Sequence, residues 1–235
     1  MFYLDGTIIL ILPALILAIW AQAKVKSAYA KYAQVGVRNG MTGADVARYI
    51  LRDAGITVSD NPELTSGPTC GLACIPGQMT DHYDPRSHML NLSQGVYSGR
   101  SIAALGIAAH EVGHAIQHAR AYAPLSLRNV VYPVCNIGST LAFPLFFIGL
   151  IAHVGPLMDA AIILFSFAVF FTVLTLPVEF NASRRALRAL EGGGYLAEDE
   201  LAGARKVLTA AAMTYVAAAA MAIMNLVRML LLNRD

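Results

Sequence analysis

Residues 101–120 read S-I-A-A-L-G-I-A-A-H-E-V-G-H-A-I-Q-H-A-R. Ser101 has the chemistry of a helix N-cap. The Ala, Leu and Ile that follow run without a proline until Pro124, so the stretch predicts a helix. Inside it stands His110-Glu111-Val112-Gly113-His114. Side chains four positions apart lie one turn apart on the same helix face, so both imidazoles can reach a single metal ion. Glu111, next to the first histidine, is placed to take a proton from a water on that ion instead of entering its shell. Zinc brings the pKa of such a water towards ~7, and a carboxylate at this position is the usual general base. The flanks are almost wholly apolar, where a glutamate between two histidines is costly to bury without a metal or partner. The motif therefore predicts one catalytic Zn2+, with His110 and His114 as ligands and Glu111 as the base.

A catalytic zinc needs a third protein ligand and one position left for water. His118 continues the i, i+4 row, but in a straight helix it lies about 12 Å along the axis from His110, too far to share an ion. Glu179 is the better choice. It sits in L-P-V-E-F-N-A-S-R-R, residues 176–185, where the chain leaves a long apolar run. The plainer use of Glu179 is as a solvated partner for Arg184 or Arg185.

Moving outward from the motif, 57% of the 235 residues are hydrophobic and 14% are charged, which is unlike an ordinary soluble domain. The apolar residues fall in blocks of membrane-spanning length. The first, Leu4 to Trp20, precedes its lysines and lacks the charged start of a signal peptide, so it reads as an anchor. Lys24, Lys26 and Lys31 continue the same helix. Val134 to Val154 and Leu157 to Leu176 form a transmembrane hairpin turning at Gly155-Pro156 and ending at Pro177. Leu208 to Leu232 is the last span. Ten Lys and Arg lie between positions 24 and 133 and five between 178 and 206. With four spans, both segments fall on one side, and the positive-inside rule makes that side cytoplasmic, with both termini outside. A net charge of +2 gives no reason to expect nucleic acid as a partner. Cys70, Cys74 and Cys135 suggest no disulfide framework and read as free thiols in a reducing compartment.

Between the anchor and the motif, Thr42 to Asp45 resembles a capping box opening a helix that Gly55 closes. Ile56 to Ser59 is a short strand candidate, and Asn61 to Gly77, rich in Pro and Gly, reads as a loop. Met79 to Tyr83 and His88 to Ser93 flank the turn residues Asp84 to Ser87, a β-hairpin signal. Met89, Leu90, Asn91 and Leu92 are offered as an edge strand on which an extended substrate could pair.

The segments D-H-Y-D-P, S-I-A-A-L-G-I-A-A-H-E-V-G-H-A-I-Q-H and L-P-V-E-F-N-A-S-R-R-A resemble the "putative neutral zinc metallopeptidase" family of bacterial membrane proteins, over nearly the whole chain. The order of elements is also similar to membrane heat-shock proteases and CAAX prenyl proteases. The resemblance implies His110, His114 and Glu179 as zinc ligands and Glu111 as the base. One departure stands out: many glutamate-ligand zinc peptidases carry an Asp four residues after the ligand, and here that position is Ser183. The carboxylate that orients a ligand histidine could instead be Asp81, Asp84 or Asp53. Donors for the transition-state oxyanion could come from His82, Tyr83, Arg184 or Arg185.

The expected architecture is α+β and predominantly helical, with about four transmembrane helices and a small zincin-like cytoplasmic domain bearing the hairpin. Its segments are 1–23 (anchor), 24–133 (catalytic), 134–177 (hairpin), 178–206 (third ligand) and 207–235 (last span). The expected function is zinc-dependent peptide-bond hydrolysis at the cytoplasmic face of the inner membrane. The substrates would be peptides or membrane proteins, and a regulatory protein partner is compatible with this reading. A non-catalytic zinc-binding scaffold is the alternative. Metal transport fits poorly, since His153 is the lone histidine in the expected spans.

Overall fold

Thr42 opens the first helix of the catalytic segment by a device its sequence announces. Its hydroxyl accepts from the Asp45 backbone N–H while the Asp45 carboxylate accepts from the Thr42 N–H, a closed capping box. The computed structural model describes residues 6–59 and 67–234. Leu4 and Asp5 of the first apolar run, and residues 61–66 of the expected loop, lie outside it. In chain order the helices are α1 (Leu12–Ala33, after a 3-10 segment Gly6–Ile11), α2 (Gly43–Asp53), α3 (Gln94–Tyr97), α4 (Ile102–Ala119), α5 (Ala123–Ala152), α6 (Gly155–Gly192) and α7 (Glu198–Leu232). The strands are β1 (Thr57–Val58), β2 (Thr69–Ile75), β3 (His82–Asp84) and β4 (Met89–Ser93). The fold is α+β, mostly helical, with one four-stranded sheet among the described residues, in the order β1-β2-β4-β3.

The chain divides into two compact units. One comprises residues 1–23, 124–178 and 213–235, the other 24–123 and 179–212. In the second unit the sheet packs with α2 and α4 around a single core. Val46 and Leu51 of α2, Leu90 and Leu92 of β4, and Leu105 and Val112 of α4 are all fully buried there. The Schellman-type end of α2 turns the chain into β1. Gly55 takes φ +74° and the Ile56 N–H donates to the Leu51 carbonyl. In the first unit Ala142 and Phe146 of α5, Met158, Ala161 and Phe165 of α6, and Met229 of α7 form a separate buried cluster.

Four helices among the described residues are long and apolar enough to cross a bilayer: Gly6–Ala33, Ala123–Ala152, Gly155–Gly192 and Glu198–Leu232. Several boundaries differ from those the sequence suggests. The turn between the two central spans lies at His153 and Val154, and Gly155 and Pro156 already belong to the first turn of α6. Proline's fixed φ suits a helix start, where its missing N–H costs no bond. Pro177 does not end α6. The helix runs through it to Gly192, because proline removes one hydrogen bond while Ala182, Ala186 and Leu190, at helical spacing, bury the same face beyond it. Residues 124–133, grouped by sequence with the catalytic segment, form the start of α5 in the apolar unit.

The sheet holds two corrections. Residues 69–75, read as loop because of their Pro and Gly neighbours, form β2, which pairs in parallel with both β1 and β4. β4 therefore has partners on both sides, since β3 pairs with it antiparallel through Tyr83↔Leu90 and its neighbours. Met89 to Leu92 is an interior strand and offers no free edge. The hairpin exists as expected, its turn held by Asp84, which accepts from the Arg86 N–H and the Ser87 hydroxyl. These bonds, the backbone one first, hold its carboxyl below the usual carboxylate range. The sheet's edges are β1 and β3.

Candidate metal centre

Helix α4 starts where its sequence predicts, with the Ser101 hydroxyl accepting from the Ala104 N–H. From that cap the apolar run winds so that Val112, Ala108 and Ala109 enter the core and His110 and His114 turn to α6. The two helices approach closely because Gly113 has no side chain. A Cβ built there would lie 2.6 Å from the Ala182 carbonyl oxygen. Across that contact Glu179 meets both histidines. Its Oε2 lies 3.3 Å from His110 Nε2 and 3.5 Å from His114 Nε2.

Glu179 is 3% exposed and His114 9%, so the cluster is shielded from bulk water. One donor atom from each of His110, His114 and Glu179 lies within 4.8 Å of the other two. The spacing fits a metal. Donors bonded to a tetrahedral ion at 2.0–2.1 Å sit roughly 3.3–3.4 Å apart. Two imidazoles and one carboxylate are a donor set that zinc accepts, with a fourth position for water. Burial alone would lower the His114 pKa. The hydrogen bond to Glu179 and the Glu111 and Glu179 charges outweigh it, and the ring titrates above its ordinary value.

The far nitrogens of both rings are met by neutral groups. His110 Nδ1 is 3.1 Å from the Ser183 hydroxyl, and His114 Nδ1 is 3.0 Å from Gln117 Oε1. None of the three aspartates considered from sequence does this. Asp81 accepts from the Ser93 N–H and hydroxyl, Asp84 closes the hairpin turn, and Asp53 accepts from the Tyr195 hydroxyl. Gln117 and Asn181, which takes up Gln117's other end, escape a reading by motif. The available signal was that Gln117 lies three residues after His114, on the same helix face.

Glu111 is positioned by the sheet. Its Oε2 accepts from the Tyr83 backbone N–H at 3.1 Å. That N–H points away from β4, so the free edge of β3 faces the carboxylate. The Tyr83 hydroxyl is hydrogen-bonded to His118 Nδ1 at 2.8 Å, while burial pushes the phenol pKa up and, with His88 alongside, pushes His118 down. His82 is held at both nitrogens, Nδ1 by the Thr80 carbonyl and Nε2 by the Asn91 amide. Tyr83 and His82 are thus engaged within or beneath the hairpin. Arg185 donates to Asn181 Oδ1, and Arg184 is exposed on α6.

Comparison with known proteins agrees with the geometry. The chain is 45% identical over 225 residues to a Bacillus subtilis (strain 168) protein described as "Putative membrane protease YugP", covering 96% of this chain and 95% of that one. No solved structure gives a significant match. The family model described as "Putative neutral zinc metallopeptidase" matches residues 7–234. With four apolar helices and a buried two-histidine, one-glutamate cluster, this multi-pass membrane protein belongs to that zinc metallopeptidase family.

Proposed function

We propose that the protein is a membrane-embedded zinc endopeptidase in which His110, His114 and Glu179 hold one zinc ion and Glu111 is the general base. The observation that carries this is the convergence of two Nε2 atoms from α4 on one carboxylate oxygen from α6, with Glu111 beside them. A bound zinc would polarise the scissile carbonyl and acidify the attacking water. Glu111 accepts the proton that water gives up and passes it to the nitrogen of the departing amine. The Tyr83 N–H fixes the Glu111 carboxylate at the sheet edge while it does so. The Ser183 and Gln117 contacts keep both imidazoles turned towards Glu179.

An extended substrate would lie along the outer edge of β3, since β4 is already paired on both sides. The Lys- and Arg-rich segments before α5 and within α6 and α7 support a cytoplasmic position for this edge. Substrates would then be membrane proteins or peptides held at that surface.

The test uses full-length protein in proteoliposomes with a membrane-tethered extended peptide reporter. Wild type should cleave it, and Glu111→Gln should lose about 10²- to 10⁴-fold in turnover while keeping its zinc. Equal cleavage by both proteins would remove Glu111 from the chemistry. Zinc uptake without cleavage of any membrane-held peptide would favour a scaffold.

A further inference from the structure

Behind His114 a line of side chains crosses from α4 to α6 and ends on a permanent charge. His114 Nδ1 is 3.0 Å from Gln117 Oε1, the Gln117 amide donates to Asn181 Oδ1 at 3.0 Å, and Arg185 Nε donates to the same oxygen at 2.7 Å. Gln117 is fully buried and His114 nearly so. A primary amide can turn end for end without changing shape, so its direction must come from a group whose polarity is not in question. Arg185 is such a group, because a guanidinium only donates and never loses its charge in a protein. Asn181 must therefore present its oxygen to Arg185. That oxygen only accepts, so Gln117 must present its NH2 to Asn181. Gln117 is left with its oxygen facing His114, and an oxygen there requires the proton on Nδ1. When the ring is neutral, as a metal ligand must be, Nε2 is then the bare nitrogen, the atom 3.5 Å from Glu179 Oε2.

We propose that Arg185 sets the tautomer of His114 through the amides of Asn181 and Gln117, keeping the Nε2 lone pair free for the metal. The three are positioning residues, and their role rests on the zinc reading above. His110 lacks this control, because the Ser183 hydroxyl can donate or accept and so imposes no direction. Amides serve here where a carboxylate would be the commoner choice. A third anion next to Glu111 and Glu179 would add like-charge repulsion in a buried site, and two amides carry direction without adding charge.

The experiment measures zinc affinity of detergent-purified, full-length protein at neutral pH by competition with a chromophoric chelator, and the absorption spectrum of the Co2+-loaded form. Gln117→Leu should weaken zinc binding roughly 10- to 100-fold and Arg185→Leu roughly tenfold. Gln117→Glu should bind zinc more tightly than Gln117→Leu, though the added anion keeps it below wild type, because a carboxylate accepts from Nδ1 whichever way Asn181 lies. For the same reason, adding Arg185→Leu to Gln117→Glu should change affinity by no more than about twofold. If Gln117→Leu does not fold, Arg185→Leu still decides. Wild-type affinity and an unchanged Co2+ spectrum in Arg185→Leu would overturn the relay, as would an equal loss with and without Gln117→Glu. Zinc lost in Glu179→Ala but retained in Arg185→Leu would sink the relay and leave the metal site standing. Failure of wild type to bind either metal would overturn both.

Discussion

Ser183 lies four residues after Glu179, and its hydroxyl reaches His110 Nδ1. A hydroxyl is a weaker partner than a carboxylate, so its removal should be measurable without being fatal. Ser183→Ala is expected to weaken zinc affinity about tenfold, whereas Glu179→Ala, which deletes a donor atom, should leave no zinc after dialysis. Equal zinc content in Glu179→Ala and wild type would mean that the third ligand lies elsewhere. The cysteines separate by environment. Burial pushes the Cys70 thiol up to about 12, whereas Cys74, on the same strand, is exposed. A maleimide near pH 8 should therefore label Cys74 in the native protein and reach Cys70 only after denaturation. Labelling of both at similar rates would contradict the burial of β2.

Among the elements, α4 and α6 depend on a missing atom. Gly113→Ala would put a methyl group 2.6 Å from the Ala182 carbonyl oxygen, a backbone position that cannot swing aside. The helices must separate, so the variant should lose about 1–3 kcal/mol of stability and bind zinc more weakly. A native melting curve and wild-type zinc affinity would count against the close approach. The capping box of α2 gives a pH-dependent case. The Thr42 hydrogen bonds, side chain first, hold the Asp45 carboxyl below its ordinary range. A depressed native pKa stabilises above the unfolded value and is lost as pH falls through the native one. Asp45→Asn should therefore lower stability in urea titrations at pH 7 and make little difference near about pH 2. The effect should be small, because the Asp45 side chain is 45% exposed.

The elements that could be read from sequence are those with local signals. Ser101, the Thr42–Asp45 box and Gly55 mark helix ends through side-chain and φ preferences that act within a few residues. The turn Asp84–Ser87 does the same for the hairpin. Elements decided by distant packing carry no such local signal. β2 contains Gly71 and follows Pro68, a loop-like composition, and becomes a strand because β1 and β4 pair with it from both sides. α6 passes Pro177 because its buried face continues past the proline. In the site, the metal-binding pattern of α4 is a spacing on one helix and so appears in the sequence. Gln117 meets His114 on its own helix, but Asn181, which it also meets, lies on α6, and no local pattern names that partner.

For the whole molecule, the question open to direct test is orientation. Cys74 is an exposed thiol in the unit that carries the site. In intact cells or right-side-out vesicles a membrane-impermeant maleimide should leave it unlabelled, and in inverted vesicles it should react. Labelling from the outside would reverse the charge-based topology. On the proposed function, the sheet in that unit must satisfy two opposed demands. A protease that reads extended chains has to leave a strand edge open, and an open edge invites pairing with other copies of itself, the route to aggregates and fibrils. Here the edges are two and three residues long, β1 and β3, while the longer strands β2 and β4 lie between them. On that function, three residues would suffice to align a peptide beside Glu111 and be too few to template another folded copy. Such an enzyme would grip unfolded chains without sticking to its own kind.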